Sequence, residues 1–149
     1  MTVSAEGAHR GEHLRLEPPV GAHSEAFWEA TRRGALLVQW CTNCERAIFY
    51  PRSFCPSCAQ ASGLEWRTAS GMGHVYAMTI EPNPAAAGSK FSQGEPYVVA
   101  LVELVEGVRM MTNIVDCDPS DVAIGMEVTL RWEPLSDGRQ LPLFRPVTS

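Results

Sequence analysis

The sequence predicts a mainly β protein in which a short helix and a small cysteine-rich ribbon precede a five-stranded barrel. Two C-x2-C motifs lie within residues 41–58, and five β-type segments follow between residues 71 and 146. Five strands with a short helical insert between the third and the fourth are typical of an OB-fold barrel, with a generic sheet as the alternative. The predicted units are a flexible N-terminal arm over residues 1–22, a helix plus zinc ribbon over 23–62, and an OB-fold domain over 63–149.

The N-terminal helix is expected to begin after Ser24 and to end before Gly34. Serine is a favourable N-cap residue, and glycine suits the position just after a helix. Phe27 and Trp28 give this segment an aromatic edge. Because so short a helix is unstable by itself, the aromatic edge must pack on the rest of the chain or on a partner.

Cys41, Cys44, Cys55 and Cys58 form the two C-x2-C motifs, which are separated by ten residues. Four thiolates at this spacing can close on one Zn²⁺ in a tetrahedron, with Zn–S distances of about 2.3 Å. A disulfide pair is the alternative. Residues 1–20 contain no secretory signal, so we expect a cytoplasmic protein, where such cysteines bind metal more readily than they oxidise.

The predicted zinc site is structural, because four cysteine ligands leave no open position for water or substrate. Iron is an expected substitute in recombinant material, since a tetrahedron of sulfurs accepts it too. Strands are expected over residues 35–40 and 45–52 of the ribbon. Such a ribbon is too small to bury a core, so the ion would supply much of its folding free energy. We expect ribbon and barrel to bury separate cores.

The barrel strands are recognised by their β-branched and apolar composition and by the turns between them. Glu106-Gly107 and Asp137-Gly138 predict tight turns, and Asp118 opens a single helical turn. The five predicted strands cover residues 71–80, 96–104, 108–115, 126–132 and 140–146.

The loop between the first two barrel strands, residues 81–95, is longer than most loops in a compact domain. It is rich in Pro, Ala and Gly, and Phe91 is its main apolar anchor. We therefore expect it to be mobile in the isolated chain and ordered in a complex. Lys90 and Phe91 are its candidate binding residues, with a solvated lysine as the alternative for Lys90.

Composition excludes several classes of function. A net charge of −5 and a pI near 5.3 disfavour nucleic-acid binding. No apolar run reaches the roughly 18 residues of a transmembrane helix, so no membrane partner is expected. Neither a nucleophile elbow nor a metalloprotease, P-loop or dinucleotide motif occurs. The chain is therefore expected not to be catalytic by itself.

Several motifs between residues 24 and 147 form a recognisable set. They are the four-cysteine ribbon, Phe27-Trp28, Gly73-x-Val75-Tyr76, residues 96–102, Gly107, Thr112-Asn113 and Gly125-Met126. In these motifs the chain resembles the DUF35 family, whose members pair a rubredoxin-like zinc ribbon with an acyl-CoA-associated OB-fold. The resemblance implies a small subunit that partners a thiolase-like enzyme.

The function implied by this resemblance is that of a non-catalytic accessory subunit of a thiolase or a side-chain-cleaving aldolase. Such a subunit supports acyl-CoA chemistry in lipid or steroid side-chain degradation, and acyl-CoA or an acyl-CoA hydratase are further implied partners. Phe27, Trp28, Lys90 and Phe91 would contact the partner or CoA, with Lys90 reaching a CoA phosphate. A free-standing acyl-CoA-binding or catalytic protein and an OB-fold nucleic-acid binder are the alternatives.

Overall fold

The computed structural model describes residues 17–81 and 95–148. No helix within these ranges is long and apolar enough to cross a membrane. One 3₁₀ turn, Pro119–Asp121, precedes the seventh strand. The remaining elements are α1 (Glu25–Thr31), β1 (Leu37–Cys41), β2 (Arg46–Ile48), β3 (Leu64–Thr68), β4 (Met72–Glu81), β5 (Tyr97–Leu104), β6 (Arg109–Ile114), β7 (Glu127–Pro134) and β8 (Gln140–Pro146).

The ribbon is a three-stranded antiparallel sheet in the order β2-β1-β3. Its second strand is shorter than expected, because only Arg46–Ile48 pair with β1. Strand β3 was missed by the sequence interpretation. Its signal was present, since Leu64 and Trp66 alternate with Glu65 and Arg67 as in a half-buried strand.

The second sheet closes into a barrel in the order β4-β5-β6-β8-β7, with β4 paired to β7. Strands β6 and β8 are parallel, whereas the other neighbouring pairs are antiparallel. All five predicted barrel strands are confirmed, and each end lies within two residues of its expected position. The mainly β class and the OB-fold are thus confirmed, and the generic open sheet is excluded.

The barrel core continues into the base of the ribbon, so the expectation of separate cores is wrong. Phe27 of α1 and Leu36 and Val38 of the ribbon belong to one buried cluster with Val75 and Phe144 of the barrel. The reason is that β1 begins against the barrel and runs outward to the cysteines. Only the outer end of the ribbon has a cluster of its own, built from Cys41, Ile48 and Cys55 with Cys44, Cys58 and Leu64 around them.

Helix α1 is held on the barrel by its C-terminal end. The buried Thr31 accepts a hydrogen bond from the backbone N–H of Gln140 through Oγ1 (3.1 Å) and one from the Gln140 amide through its carbonyl (2.8 Å). Gly34 adopts a φ of 73°, as the predicted helix stop requires. Ser24 precedes the helix but makes no side-chain cap, because its hydroxyl bonds Gly21 instead.

Replacing Gly73 by alanine should destabilise the barrel by about 1–3 kcal/mol through overpacking. A Cβ at this position would lie 2.4 Å from the backbone oxygen of Glu103 and 3.0 Å from a Val102 methyl. Urea unfolding should show the loss. Gly21→Ala is the matched control, because its nearest contact would be Ser24 Oγ at 3.7 Å. Equal stability of the two variants would contradict this account.

Candidate metal centre and partner-binding groove

The four predicted metal ligands meet at the outer end of the ribbon. The sulfurs of Cys41, Cys44, Cys55 and Cys58 all lie within 4.8 Å of one another. Two of the Sγ–Sγ distances are 3.8 Å, between Cys41 and Cys58, and 3.9 Å, between Cys44 and Cys55. A tetrahedron with Zn–S bonds of about 2.3 Å has sulfur–sulfur edges of about 3.8 Å. The distances therefore fit zinc and are far from the roughly 2.05 Å of a disulfide.

The electrostatics of the four sulfurs also favour a bound cation. Backbone N–H groups of Cys58 and Ser57 lower the pKa of the Cys55 thiol to about 6. In contrast, a hydrogen bond with the Cys58 sulfur is the largest of the effects that raise the pKa of Cys44 to about 12. Four thiolates cannot share this space without a compensating charge, which a bound dication supplies.

The turns that carry the cysteines use left-handed backbone at non-glycine residues. Glu45 and Ala59 directly follow the second cysteine of each motif, and their φ angles are 51° and 58°. These are positions at which glycine is common in such turns, because this conformation costs other residues about 1 kcal/mol. The turn geometry therefore forms without glycine, and ligation by four sulfurs offsets the strain.

An apolar groove of about 430 Å³ lies where helix α1, the ribbon and the barrel meet. Its wall includes a chain of aromatic contacts, in which Phe27 packs edge-on against Trp28 (5.0 Å between ring centroids) and also contacts Phe49 (5.8 Å). We call it the aromatic groove; its lining includes Trp28, Phe49, Tyr50, Val99, Met111 and Pro142.

The apolar surface continues from the aromatic groove onto the outer face of β5 and β6. Along β5, Tyr97, Val99 and Leu101 alternate with buried residues, so they face outward. Met111 pairs with Leu101 and is 62% exposed. Tyr50, itself 51% exposed, reaches over from the ribbon and accepts a hydrogen bond from the Met111 backbone N–H at 3.1 Å.

The candidate binding residues named from the sequence have different placements. Phe27 is buried, Trp28 is partly buried, and both line the aromatic groove. Arg139 lies over the Trp28 ring, 5.0 Å from its centroid. Lys90 and Phe91 lie outside the described residues, as does most of the loop they belong to.

Sequence reasoning did not single out Tyr50 and Met111, which expose much of the apolar surface at the groove. A signal existed for Met111. Met110 and Met111 are neighbours on one strand, so their side chains must point to opposite faces of the sheet. Met110 is 2% exposed, which leaves Met111 on the outside.

The fold and the metal centre define a protein that joins a structural zinc ribbon to an OB-fold barrel. Family models agree with this class: one for the "ChsH2, rubredoxin-like zinc ribbon domain" matches residues 28–65, and one for the "ChsH2, C-terminal OB-fold domain" matches residues 66–133. A chain of an "Ltp2-ChsH2(DUF35) aldolase" superimposes with a TM-score of 0.74 at 35% identity. This match covers 89% of the chain and 100% of that structure's chain.

Curated relatives extend the comparison. A "Probable enoyl-CoA hydratase alpha subunit" of Thermomonospora curvata is 36% identical over 89% of the chain, and a "DUF35 domain-containing scaffold protein" of Methanocaldococcus jannaschii is 41% identical over 64%. A "3-oxo-4,17-pregnadiene-20-carboxyl-CoA hydratase alpha subunit" of Mycobacterium tuberculosis is 28% identical over 82%. The chain spans 40%, 66% and 37% of these three relatives, respectively. The chain belongs to the DUF35 family.

Proposed function

We propose that this chain is an accessory subunit that binds a thiolase-like enzyme and has no catalytic activity alone. The observation that carries this proposal is the aromatic groove with its continuation onto β5 and β6, an apolar surface suited to a protein partner. The likeness to a chain of an "Ltp2-ChsH2(DUF35) aldolase" supports the same role.

The partner would supply the nucleophilic cysteine or the acid–base groups, and this chain would stabilise it and form part of its acyl-CoA entrance. Similarity to two subunits of acyl-CoA hydratases supports acyl-CoA chemistry. The second of these relatives is named for a steroid-derived acyl-CoA, which supports a steroid side-chain substrate. An acyl-CoA hydratase is a further proposed partner on the same ground. The complex would work in the cytoplasm, in lipid or steroid side-chain degradation.

The partner-binding surface is proposed to centre on Met111 and Tyr50, with Trp28 at the groove wall. Aromatic and methionine side chains are enriched at the centres of protein interfaces, where few residues supply most of the binding energy. A standard interface buries about 800 Å² on each partner. The aromatic groove and the outer face of β5 and β6 would form its core, and the loop that holds Lys90 and Phe91 would lie at its edge or against CoA.

Co-expression with thiolase-like proteins from the same genome should yield a stable hetero-oligomer. We expect the two chains to co-purify through size-exclusion chromatography at micromolar concentration. Aldol cleavage or thiolysis should require the partner and be absent from this chain alone. Turnover by the isolated chain, or no association with any such partner, would contradict the proposal.

Binding of an acyl chain by the isolated protein is a second candidate function. The volume of the aromatic groove, about 430 Å³, falls in the usual range of small-molecule sites. Calorimetry with a medium-chain acyl-CoA separates the two functions. Micromolar binding to the isolated chain would favour the second, whereas binding only in the presence of a partner would favour the first.

A further inference from the structure

A second cleft, on the seam between the ribbon and the barrel, has a different chemistry from the aromatic groove. Its volume is about 350 Å³, and Arg46, Arg52 and Arg109 line it beside a single carboxylate, Glu103. The cleft is therefore a net positive site on a chain whose net charge is −5. We call it the arginine cleft.

Each of the three arginines is held by a different contact. The guanidinium of Arg109 lies over the Tyr76 ring, 3.5 Å from the centroid, and its Nε donates to Glu103 at 2.7 Å. Nη1 of Arg46 donates to the Ser57 hydroxyl at 2.8 Å.

Arg52 is fixed through its backbone. The buried side chain of Gln39 accepts from the Arg52 N–H (2.8 Å) and donates to its carbonyl (2.9 Å). The guanidinium of Arg52 forms no ion pair with a carboxylate in the part of the chain that the structure describes, and neither does that of Arg46. Both therefore keep guanidinium donors for a ligand.

Glu103 is the one opposing charge in the arginine cleft, and it is already engaged. Its carboxylate lies 2.7 Å from Nε of Arg109 and 3.7 Å from Nε2 of His74. Because Glu103 accepts its hydrogen bond from Nε of Arg109, the two terminal nitrogens of that guanidinium take no part in this bond. Glu103 thus orients Arg109 while two further cations are left without a counter-ion among the described residues.

We propose that the arginine cleft binds the phosphate groups of a small organic phosphate ester. Guanidinium groups match phosphate oxygens with paired, charge-assisted hydrogen bonds, which makes arginine the preferred residue for such anions. Phe49 and Val108 also line the cleft and give it apolar wall beside the charged part. The organic portion of an ester would pack there, so an ester binds more tightly than the free anion.

Isothermal titration calorimetry of the full zinc-loaded chain with ADP and with pyrophosphate tests this assignment. ADP represents a phosphate ester and pyrophosphate the anion alone. We expect both to bind at low salt, ADP more tightly, and both affinities to fall as salt screens the guanidinium groups. Arg46→Gln combined with Arg52→Gln should weaken ADP binding at least about tenfold, because two charge-assisted contacts are lost.

Arg33→Gln combined with Arg145→Gln is the matched control, because it removes the same two positive charges from exposed residues that do not line the cleft. It should bind ADP like the unmodified chain, and all variants should keep their zinc and their melting temperature. The proposal is overturned if ADP does not bind, or if the control loses as much affinity for ADP as the cleft variant does. It is also overturned if ADP binds no more tightly than pyrophosphate. Tighter binding of an acidic peptide than of ADP would reassign the cleft to a protein partner and also overturn it.

Discussion

Cys44→Ser is expected to abolish stoichiometric zinc binding and to lower the melting temperature of the whole protein. The outer cluster of the ribbon consists of the four cysteines with Ile48 and Leu64 as its only other apolar members, among the described residues. Without the ion it has too little apolar surface to remain folded. Structural zinc contributes about 10–16 kcal/mol in isolated zinc-finger peptides, so the loss is large.

The effect should reach the barrel, because Val38 of β1 is buried in the same core as Val75 and Phe144. Cys41 ends the strand that Val38 lies on, so unfolding of the cysteine end weakens the pairing of β1 with β2 and β3 and loosens β1 toward the barrel. A loss of at least about 3 kcal/mol corresponds to a fall of about 10 °C for a chain of this size.

Elemental analysis and thermal unfolding measure these two effects. The unmodified chain should carry one metal ion, zinc or in recombinant material iron. Cys117→Ser is the control, since Cys117 lies outside the four-cysteine cluster and should leave the metal content unchanged. Cys117 packs at the edge of the barrel core, so its replacement should lower the melting temperature much less than Cys44→Ser does. A Cys44→Ser protein that keeps one zinc per chain and its melting temperature would show that the ligand assignment is wrong.

Met111→Glu is expected to weaken association with a thiolase-like partner by about 30-fold or more. The change places a charge at the proposed centre of the partner-binding surface, where truncations cost about 2–4 kcal/mol. Met111 points away from the barrel core and is 62% exposed, so the isolated protein should fold normally. Surface plasmon resonance with the immobilised partner gives the affinity, and thermal unfolding verifies the fold.

Ile124→Glu provides the comparison for this variant. Ile124 is also apolar and highly exposed (70%), but it does not line the aromatic groove. It should bind the partner with unchanged affinity. If Met111→Glu binds as tightly as the unmodified chain, or if both variants lose affinity equally, the partner surface lies elsewhere.

Local sequence signals determined most of the fold. Cysteine spacing defines the metal site, because two C-x2-C turns bring four sulfurs together whatever surrounds them. The barrel strands follow from alternating apolar residues between glycine-containing turns, and their predicted ends are correct to within two residues. The weak five-residue β3 was missed, because it lies between a glycine-containing loop and the much longer first barrel strand.

Only the tertiary structure decided which side chains the protein exposes and which it buries between the ribbon and the barrel. Phe27 and Trp28 are adjacent in sequence and both line the aromatic groove, yet Phe27 is buried and Trp28 is only partly buried, since helix packing turns neighbouring side chains in different directions. Arg46, Arg52 and Arg109 come from separate segments, and the ribbon must dock on the barrel before they line one cleft. The common core of ribbon and barrel depends on the same docking. Such long-range contacts have no periodicity or spacing in the sequence, because they are set by how whole elements pack.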